Sequence, residues 1–323
     1  MTLPVYGNSI SLNQVQNEFG GSNPISLTEY YAGGSYVTAQ LIGYPAGVAT
    51  YIPSSGTISL SNFLGARYKP NLYYSGASSV TTVDGETLLI FNGSGGHVRS
   101  VVNVSVRALV VGGGGSGGGA GNNRSGGGGG GGVIDQWVTI SGTPSYSPWY
   151  SITVGDGGAA ASGTNGASGG YSSFAGLTAY GGSGGLANQG AYGYGSTGGA
   201  AGSPTNFSGG ANGGGGGGAG GAAPDANGTG LAPNAGIGKA SNITGPMLYY
   251  GDGGGGGSGC SSSNNGGAGG TGGWSIGYNG GIPANSYGMT NRGGGGGGGC
   301  QSGGGGGGSG VVIVRGYFRP VAE

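Results

Sequence analysis

The chain has 323 residues, of which 95 are glycine, and its nine Lys and Arg residues balance nine Asp and Glu residues. A surface so poor in charge lacks the basic patches that bind nucleic acids or anionic membranes. No segment approaches the roughly 20 consecutive apolar residues of a membrane span, and the N-terminus lacks the pattern of a secretory signal. We therefore expect no nucleic-acid partner, no membrane insertion and no export by a signal peptide.

Residues 1–67 have an ordinary composition and contain three Ile-Ser-Leu triplets that predict short helices. Each serine stands in an N-cap position, and each isoleucine has the spacing of a hydrophobic staple. Ser11 with Gln14 and Ser26 with Glu29 also have the spacing of capping boxes. The triplets contribute Ile10 and Ser11, Ile25 and Ser26, and Ile58 and Ser59. Such a small module of short helices holds little core, so we expect residues 1–67 to attach the chain to another protein.

Residues 68–111, 133–154 and 311–323 are predicted to form strands, because β-branched and aromatic residues recur there between turn residues. The most apolar segments, 106–111 and 311–318, bracket the glycine-rich part of the chain. Helix patterns are nearly absent from these regions. We therefore predict a mainly β protein, with about six strands in an antiparallel β-sandwich or small barrel as its base.

The remaining residues, 112–132 and 155–310, contain long uninterrupted glycine runs. Collagen is excluded, because it requires glycine at every third position together with abundant proline. Disorder is the general expectation for such a composition. The alternative is a lattice of extended polyglycine-II helices that exchange backbone hydrogen bonds. Runs of similar length, such as 213–218 and 293–299, and the aromatic residues between them favour the ordered lattice with loops.

Four motifs, in this order, resemble the glycine-rich domain of tailed-bacteriophage fibre and tail-tip proteins. They are residues 106–119, 150–158, 171–176 and 309–315. The resemblance implies a polyglycine-II sandwich and a virion adhesin, made in the host cytoplasm, with variable loops that contact the receptor. It implies a host-surface glycan or an outer-membrane protein as receptor, and other tail proteins as partners of the N-terminal module. By analogy with tail fibres, we expect a homotrimer.

Two long segments between glycine runs, 222–250 and 274–292, are the predicted receptor-binding loops. They combine aromatic rings with amides and hydroxyls and almost no charge, which suits stacking on sugar rings. The alternative is that these rings only cover the edges of the glycine lattice. The candidate residues are Tyr249, Tyr250, Trp274, Tyr278 and Tyr287.

The sequence offers little for catalysis. His97 is the only histidine, and its position after Asn92-Gly-Ser-Gly-Gly predicts a solvated loop residue. Asp84 and Glu86 flank Gly85 as in a turn. We therefore expect no enzyme activity, no cofactor and no metal. A purely structural virion component is the main alternative, and a glycan depolymerase would require two acids within about 5–10 Å of each other.

Two cysteines, Cys260 and Cys300, each stand beside a glycine run. One pair in a chain of this length is not a disulfide framework. A disulfide and two free thiols both stay open.

Overall fold

The computed structural model describes fourteen parts of the chain. For residues 42–43 and 67–68 it describes only the backbone. The described residues are 3, 9–32, 34, 36–37, 42–43, 52–64, 67–68, 70–119, 125–143, 147–187, 213–223, 234–257, 287–299 and 303–323. They are mainly β, with several antiparallel sheets and few helices. No helix within these ranges is long and apolar enough to cross a membrane.

The described N-terminal residues form one α-helix and two 3₁₀ helices, at the three triplets. Helix α1 spans Leu12–Phe19, and the 3₁₀ helices span Leu27–Tyr30 and Leu60–Phe63. The predicted capping box is confirmed in α1. The Gln14 N–H donates to the Ser11 hydroxyl at 3.3 Å, and the Ser11 N–H donates to the Gln14 side chain at 2.7 Å.

The second and third triplets begin only a single helical turn. The Ser26 hydroxyl accepts from the Thr28 N–H at 3.4 Å, so the capping box predicted with Glu29 is not the contact that forms. The Ser59 N–H donates to the Asn62 side chain at 2.8 Å. The three serines therefore cap helical turns as predicted, with partners that depend on the length of the turn.

These N-terminal helices enclose a hydrophobic core of their own. The rings of Phe19 and Tyr30 lie 6.2 Å and 6.1 Å from the ring of Phe63. The staple residues Ile10, Ile25 and Ile58 are partly buried and pack against this core. The buried members are Leu3, Val15, Phe19, Tyr30, Val37, Ile52 and Phe63.

Fifteen strands lie in the described residues, most of them in two sheets. In chain order they are β1 (Ile42–Gly43), β2 (Arg67–Tyr68), β3 (Asn71–Ser75), β4 (Ser79–Val83), β5 (Glu86–Phe91), β6 (His97–Ser100), β7 (Val104–Val111), β8 (Val133–Ile140), β9 (Tyr150–Ser151), β10 (Ser172–Phe174), β11 (Leu177–Ala179), β12 (Lys239–Ser241), β13 (Leu248–Tyr250), β14 (Val311–Gly316) and β15 (Arg319–Ala322). Three further pairs, β1–β2, β10–β11 and β12–β13, form small antiparallel hairpins or ladders.

The five-stranded sheet has the order β4-β5-β14-β7-β8 and is antiparallel throughout. Strand β14 occupies its centre, where Ile313 pairs with Ile90 on one side and with Leu109 on the other. Val311 pairs with Val111, so the two apolar segments that bracket the glycine-rich part are direct neighbours. The glycine-rich part is therefore a long excursion that leaves the end of β7 and returns at the paired end of β14 in the same sheet.

The four-stranded sheet has the order β15-β3-β6-β9. Its β3–β6 and β6–β9 pairs are antiparallel, whereas β15 pairs with β3 in parallel. The prediction of an entirely antiparallel base is wrong for this pair. The parallel pair forms because the chain passes directly from β14 in one sheet to β15 in the other, and buried Phe318 lies at the crossing.

Both faces of the five-stranded sheet are buried at its central strands β5, β14 and β7. Phe91, Val106 and Val312 on one face share a core with Leu72 and Val98 of the four-stranded sheet. The opposite face packs against the β12–β13 hairpin, and that core contains Leu88, Leu109, Val111, Ile243, Tyr250 and Ile313. Burial on both faces explains why residues 108–111 and 311–314 are continuous apolar runs instead of alternating segments.

Polar contacts fasten the β12–β13 hairpin to the sheet. Arg107 donates two hydrogen bonds to the Asp135 carboxylate, both of 2.7 Å, and the Ser241 hydroxyl donates a third at 2.6 Å. Arg107 also donates to Asn242 at 2.8 Å. Burial alone would raise the pKa of Asp135, but the hydrogen bonds from Arg107 and Ser241 outweigh it and hold this pKa below its usual value.

Candidate functional site

The described glycine segments bond to one another through their backbones. We call them the glycine bundle, which comprises residues 112–119, 125–132, 155–170, 180–187, 213–218, 251–257, 293–299 and 303–310. None of them is assigned to a strand ladder over its length. Their N–H and C=O groups nevertheless find partners, which satisfies the requirement of a buried backbone.

The hydrogen bonds of residues 112–119 repeat every third residue. Each successive N–H in this segment donates to a different neighbouring segment, and the fourth returns to the first neighbour. The bonds run from Gly112 to Gly132, Gly113 to Gly170, Gly114 to Gly308, Gly115 to Gly129, Ser116 to Ala167, Gly117 to Gly305, Gly118 to Gly126, and Gly119 to Thr164. A β-strand would alternate every second residue, so this segment has the threefold period of an extended helix with three residues per turn.

Residues 112–119 are surrounded by six other stretches of chain. Their N–H groups bond to three stretches, as described above. Their carbonyl groups accept from three more: Gly113 from Gly182, Gly114 from Gly158, and Gly115 from Gly296. Segment 155–170 counts twice, because its residues 164–170 accept from these N–H groups and its Gly158 donates to Gly114. Residues 125–132 show the same period: their successive N–H groups donate in turn to three neighbouring segments. The bundle is therefore held by hydrogen bonds in all directions around its central segment.

The close approach of these backbones leaves no room for side chains. A Cβ added to Gly117 would overlap the carbonyl oxygen of Gly297, and one added to Gly296 would overlap that of Gly305. The obstacle is backbone in both cases, so no side chain can rotate away. At these two positions glycine is required for contact between segments, not for an unusual φ angle.

One carboxylate lies inside this bundle. The Asp252 side chain is fully buried, and neither of its carboxylate oxygens has a hydrogen-bond partner among the described residues. Burial is the largest influence on this carboxyl group and raises the pKa of Asp252 to about 7. Asp252 therefore exchanges its proton near neutral pH.

The bundle has two distinct ends. At the proximal end, Gly112 follows β7, Gly132 precedes β8 and Gly310 precedes β14. The opposite, distal end is set by bonds among segment ends. These bonds are Gly118 to Gly126, Gly126 to Leu186, Gly213 to Gly257, Gly257 to Ser125, and Gly299 to Gly118.

Three stretches outside the described residues begin and end at this distal end, after Gly119, Ala187 and Gly299 and before Ser125, Gly213 and Gly303. The stretch 258–286 begins there, after Gly257, but its other end, Tyr287, lies beside Gly306, part-way along the bundle. The two longest stretches, 188–212 and 258–286, therefore share the distal end as an attachment point.

The sequence profile of a family described as "glycine-rich domain" matches residues 92–317. The chain belongs to that family. The match begins before β6 and ends after β14, so it includes the central strands of the sheet as well as the whole glycine bundle. No curated protein matches the chain.

The glycine-rich domain brings together only some of the predicted receptor residues. Tyr250 is 2% exposed and lies in the core under the β12–β13 hairpin, so its ring is not available to a receptor. Tyr249 is half-buried in β13 of the same hairpin. Tyr287 is 48% exposed at the edge of the bundle. Trp274 and Tyr278 lie outside the described residues.

Part of the predicted loop 222–250 is a β-hairpin and not a loop. Residues 239–250 contain the hairpin that covers one face of the five-stranded sheet. The short segment Leu248-Tyr249-Tyr250 resembled a loop because glycine and proline flank it, but its alternate residues face the core. Cys260 and Cys300 also lie outside the described residues, so the structure leaves their pairing untested.

Sequence reasoning missed a group of polar and aromatic side chains within the family match and beside it. His97 is the first residue of β6, not a loop residue, and its ring lies 6.0 Å from that of Trp149. The Arg99 guanidinium lies 4.6 Å from the Trp149 ring and 4.8 Å from the Tyr73 ring. A strand prediction extended back to His97 would have placed His97 and Arg99 on one face, because side chains alternate.

Proposed function

We propose that this chain is a receptor-binding adhesin of a bacteriophage tail, carried on the virion and without enzyme activity. The observation that carries the proposal is that the two longest chain connections share an attachment point, with both ends of 188–212 and the start of 258–286 at the distal end of the glycine bundle. A rigid scaffold that gathers variable connections at one end is the usual architecture of recognition proteins. The order of motifs that resembles phage fibre and tail-tip proteins supports the virion assignment.

The scaffold itself is, in this proposal, a polyglycine-II lattice on a β-sandwich. The threefold repeat of hydrogen bonds along residues 112–119 and the six surrounding stretches support the lattice. The core shared between the five-stranded and four-stranded sheets supports the sandwich. Extended helices that bond in all directions make a stiff support, so loops attached to it keep their spacing when they meet a receptor.

The proposal assigns receptor binding to stretches 188–212 and 258–286. The candidates Trp274 and Tyr278 belong to the second stretch, and Tyr287 is the residue at which that stretch re-enters the bundle. These stretches carry aromatic, amide and hydroxyl groups and very few charges. Such a composition suits a host-surface glycan or an apolar loop of an outer-membrane protein, and binding to either depends weakly on salt.

The N-terminal residues 1–67 attach the adhesin to another tail protein. Their own core, around Phe63, makes them a separate compact unit that can dock without disturbing the sheets. The exposed serines of the three triplets lie on the outside of this unit. Assembly as a homotrimer is part of the proposal, by analogy with tail fibres.

The test is adsorption of the purified chain to bacterial cells and to glycan extracted from their surface. The decisive variant carries Trp274→Ala and Tyr278→Ala together. Trp137→Ala is the matched control, because Trp137 is 60% exposed on edge strand β8, at the sheet end of the molecule. We expect the double variant to lose adsorption with an unchanged unfolding transition, and the control to adsorb normally.

Equal adsorption by the double variant and the native chain would contradict a role for these two residues. If the native chain adsorbs to no bacterial surface but assembles with tail proteins, the purely structural alternative replaces the adhesin. Cleavage of the extracted glycan would instead identify a depolymerase.

A further inference from the structure

The outer face of the four-stranded sheet carries a row of three long side chains. Tyr73 pairs with Arg99 across β3 and β6, and Trp149 stands directly before β9. Arg99 lies between the two aromatic rings, as its contacts of 4.8 Å and 4.6 Å show. It also forms an ion pair with Glu323. The positive charge of Arg99 is therefore already engaged by two rings and a carboxylate.

The neighbouring row on the same face has shorter side chains, and this difference in length creates a pocket. Ser75 pairs with His97, and His97 pairs with Ser151, so the three residues stand side by side across β3, β6 and β9. Two serines beside a histidine cannot fill the space next to Trp149. The result is a cavity of about 290 Å³ lined by Ser75, His97, Trp149 and Ser151. Its volume is at the lower end of cavities that hold small molecules, about 300–1,000 Å³.

The groups in this pocket are available to a ligand. Neither serine hydroxyl nor the His97 imidazole has a hydrogen bond to another described residue. Trp149 is 43% exposed, and its indole forms one wall. The imidazole and the hydroxyls supply donors and acceptors at fixed spacing on a sheet, which is a rigid support.

We propose that this pocket binds a single ring of an uncharged sugar. A sugar ring has an apolar face that packs on an indole and hydroxyl groups that bond to serine and imidazole. The volume of about 290 Å³ suits one sugar ring. An anionic ligand is disfavoured because the nearby guanidinium of Arg99 is neutralised by Glu323.

The pocket is separate from the proposed receptor surface. Ser151 leads through Val154 to Gly155 at the proximal end of the glycine bundle, whereas the connections 188–212 and 258–286 attach at the distal end. The inference therefore stands whether or not the distal end binds a receptor. It assigns the molecule a sugar contact on the outer face of the four-stranded sheet.

The first experiment follows the indole N–H signals of the native chain by NMR after ¹⁵N labelling of its three tryptophans. The probes are methyl α-D-glucopyranoside, methyl β-D-galactopyranoside and methyl N-acetyl-β-D-glucosaminide, each titrated alone. Sodium glucuronate and inorganic phosphate serve as anionic probes. We expect at least one neutral probe to shift the Trp149 signal in a saturable way and to leave the Trp137 signal in place.

Variants then test the assignment by saturation transfer to the bound sugar. His97→Ala is expected to weaken binding about tenfold, the effect of one lost hydrogen bond. Trp149→Ala is expected to abolish binding, and Trp149→Phe to retain part of it because an aromatic wall remains. Trp137→Ala is the control and is expected to bind as the native chain does.

Three results would overturn the inference. One is a Trp149 signal that no neutral probe shifts. Another is a response to glucuronate or phosphate alone, which would make the pocket an anion site. The third is undiminished binding by both His97→Ala and Trp149→Phe. The native-chain titration needs no variant, so a misfolded Trp149→Ala protein leaves the test intact.

Discussion

The interior of the two sheets and the interior of the glycine bundle are filled by different parts of the chain. In the sheets, side chains such as Phe91 and Val312 fill the core, and the backbone bonds only to adjacent strands. In the bundle the backbone is itself the interior, and it bonds to neighbours on every side of residues 112–119. Stability in the first region depends on side chains being present, and in the second on their being absent.

The largest expected effect comes from adding a side chain to the bundle. Gly296→Val places its Cβ against the carbonyl oxygen of Gly305, and backbone on both sides prevents relaxation. We expect a loss of more than about 4 kcal/mol of unfolding free energy, or no folded bundle at all. Urea denaturation measures the loss of unfolding free energy, and amide exchange at residues 293–299 shows whether the bundle is folded.

The matched control is Gly93→Val in the turn between the sheets. Gly93 has no atom within 4 Å of an added Cβ, and its φ is not in the left-handed region. We expect its unfolding free energy to change by less than about 1 kcal/mol. Similar stability of the two variants would mean that the glycine segments are not packed backbone to backbone.

The sequence could predict the sheets better than the bundle, for a physical reason. The apolar segments at 106–111 and 311–318 indicated strands that return to each other, and Val311 does pair with Val111. The threefold repeat along residues 112–119 has no counterpart in the sequence, because glycine has no side chain to mark which neighbour each residue faces. A side-chain pattern can be read only where side chains carry the packing.

The candidate site shows the same limit. Tyr250 is a residue type that often binds receptors. Its pairing with Lys239 in the hairpin, however, directs its ring into the core. His97 and Trp149 stand far apart in the chain and meet only because β9 pairs with β6. Contacts that depend on strand pairing cannot be deduced from either segment alone.

Two buried carboxylates provide a second comparison of the regions. In the sheet, Asp135 receives hydrogen bonds from Arg107 and Ser241, which lower its pKa. In the bundle, Asp252 has no partner among the described residues, and its pKa is raised to about 7. Removing the charge should therefore have opposite effects in the two regions at alkaline pH.

We expect Asp252→Asn to stabilise the chain at pH 8. The folded pKa lies above the unfolded value of about 3.9, so the stability contributed by the bound proton is complete below pH 4 and is lost as the pH rises to 7. The loss amounts to at most about 4 kcal/mol for a shift of this size. The amide removes this titration, so urea midpoints of the variant should fall less between pH 4 and pH 8 than those of the native chain.

Asp135→Asn is the counterpart and should destabilise the chain at pH 8, because Arg107 loses its charged partner. Identical pH profiles for Asp252→Asn and the native chain would show that Asp252 is hydrated or paired in solution. That result would contradict the prediction that a buried, unpaired Asp252 carboxylate destabilises the chain at pH 8.

The smallest expected effect on stability is at Tyr287, the residue that follows the proposed receptor-binding stretch 258–286. The ring is 48% exposed, and one edge lies over Gly306, at 3.3 Å from the position of an added Cβ. If the ring only covers the bundle, Tyr287→Ala should speed amide exchange of Gly288, whose N–H bonds to Gly306 at 2.8 Å. If it contacts the receptor, exchange should stay unchanged while adsorption weakens. We expect the second result, with an unfolding free energy within about 0.5 kcal/mol of the native value, because half of the ring is free to stack on a ligand.

Faster exchange with full adsorption would assign Tyr287 to the scaffold. The proposed receptor contacts would then rest on the stretches 188–212 and 258–286 alone.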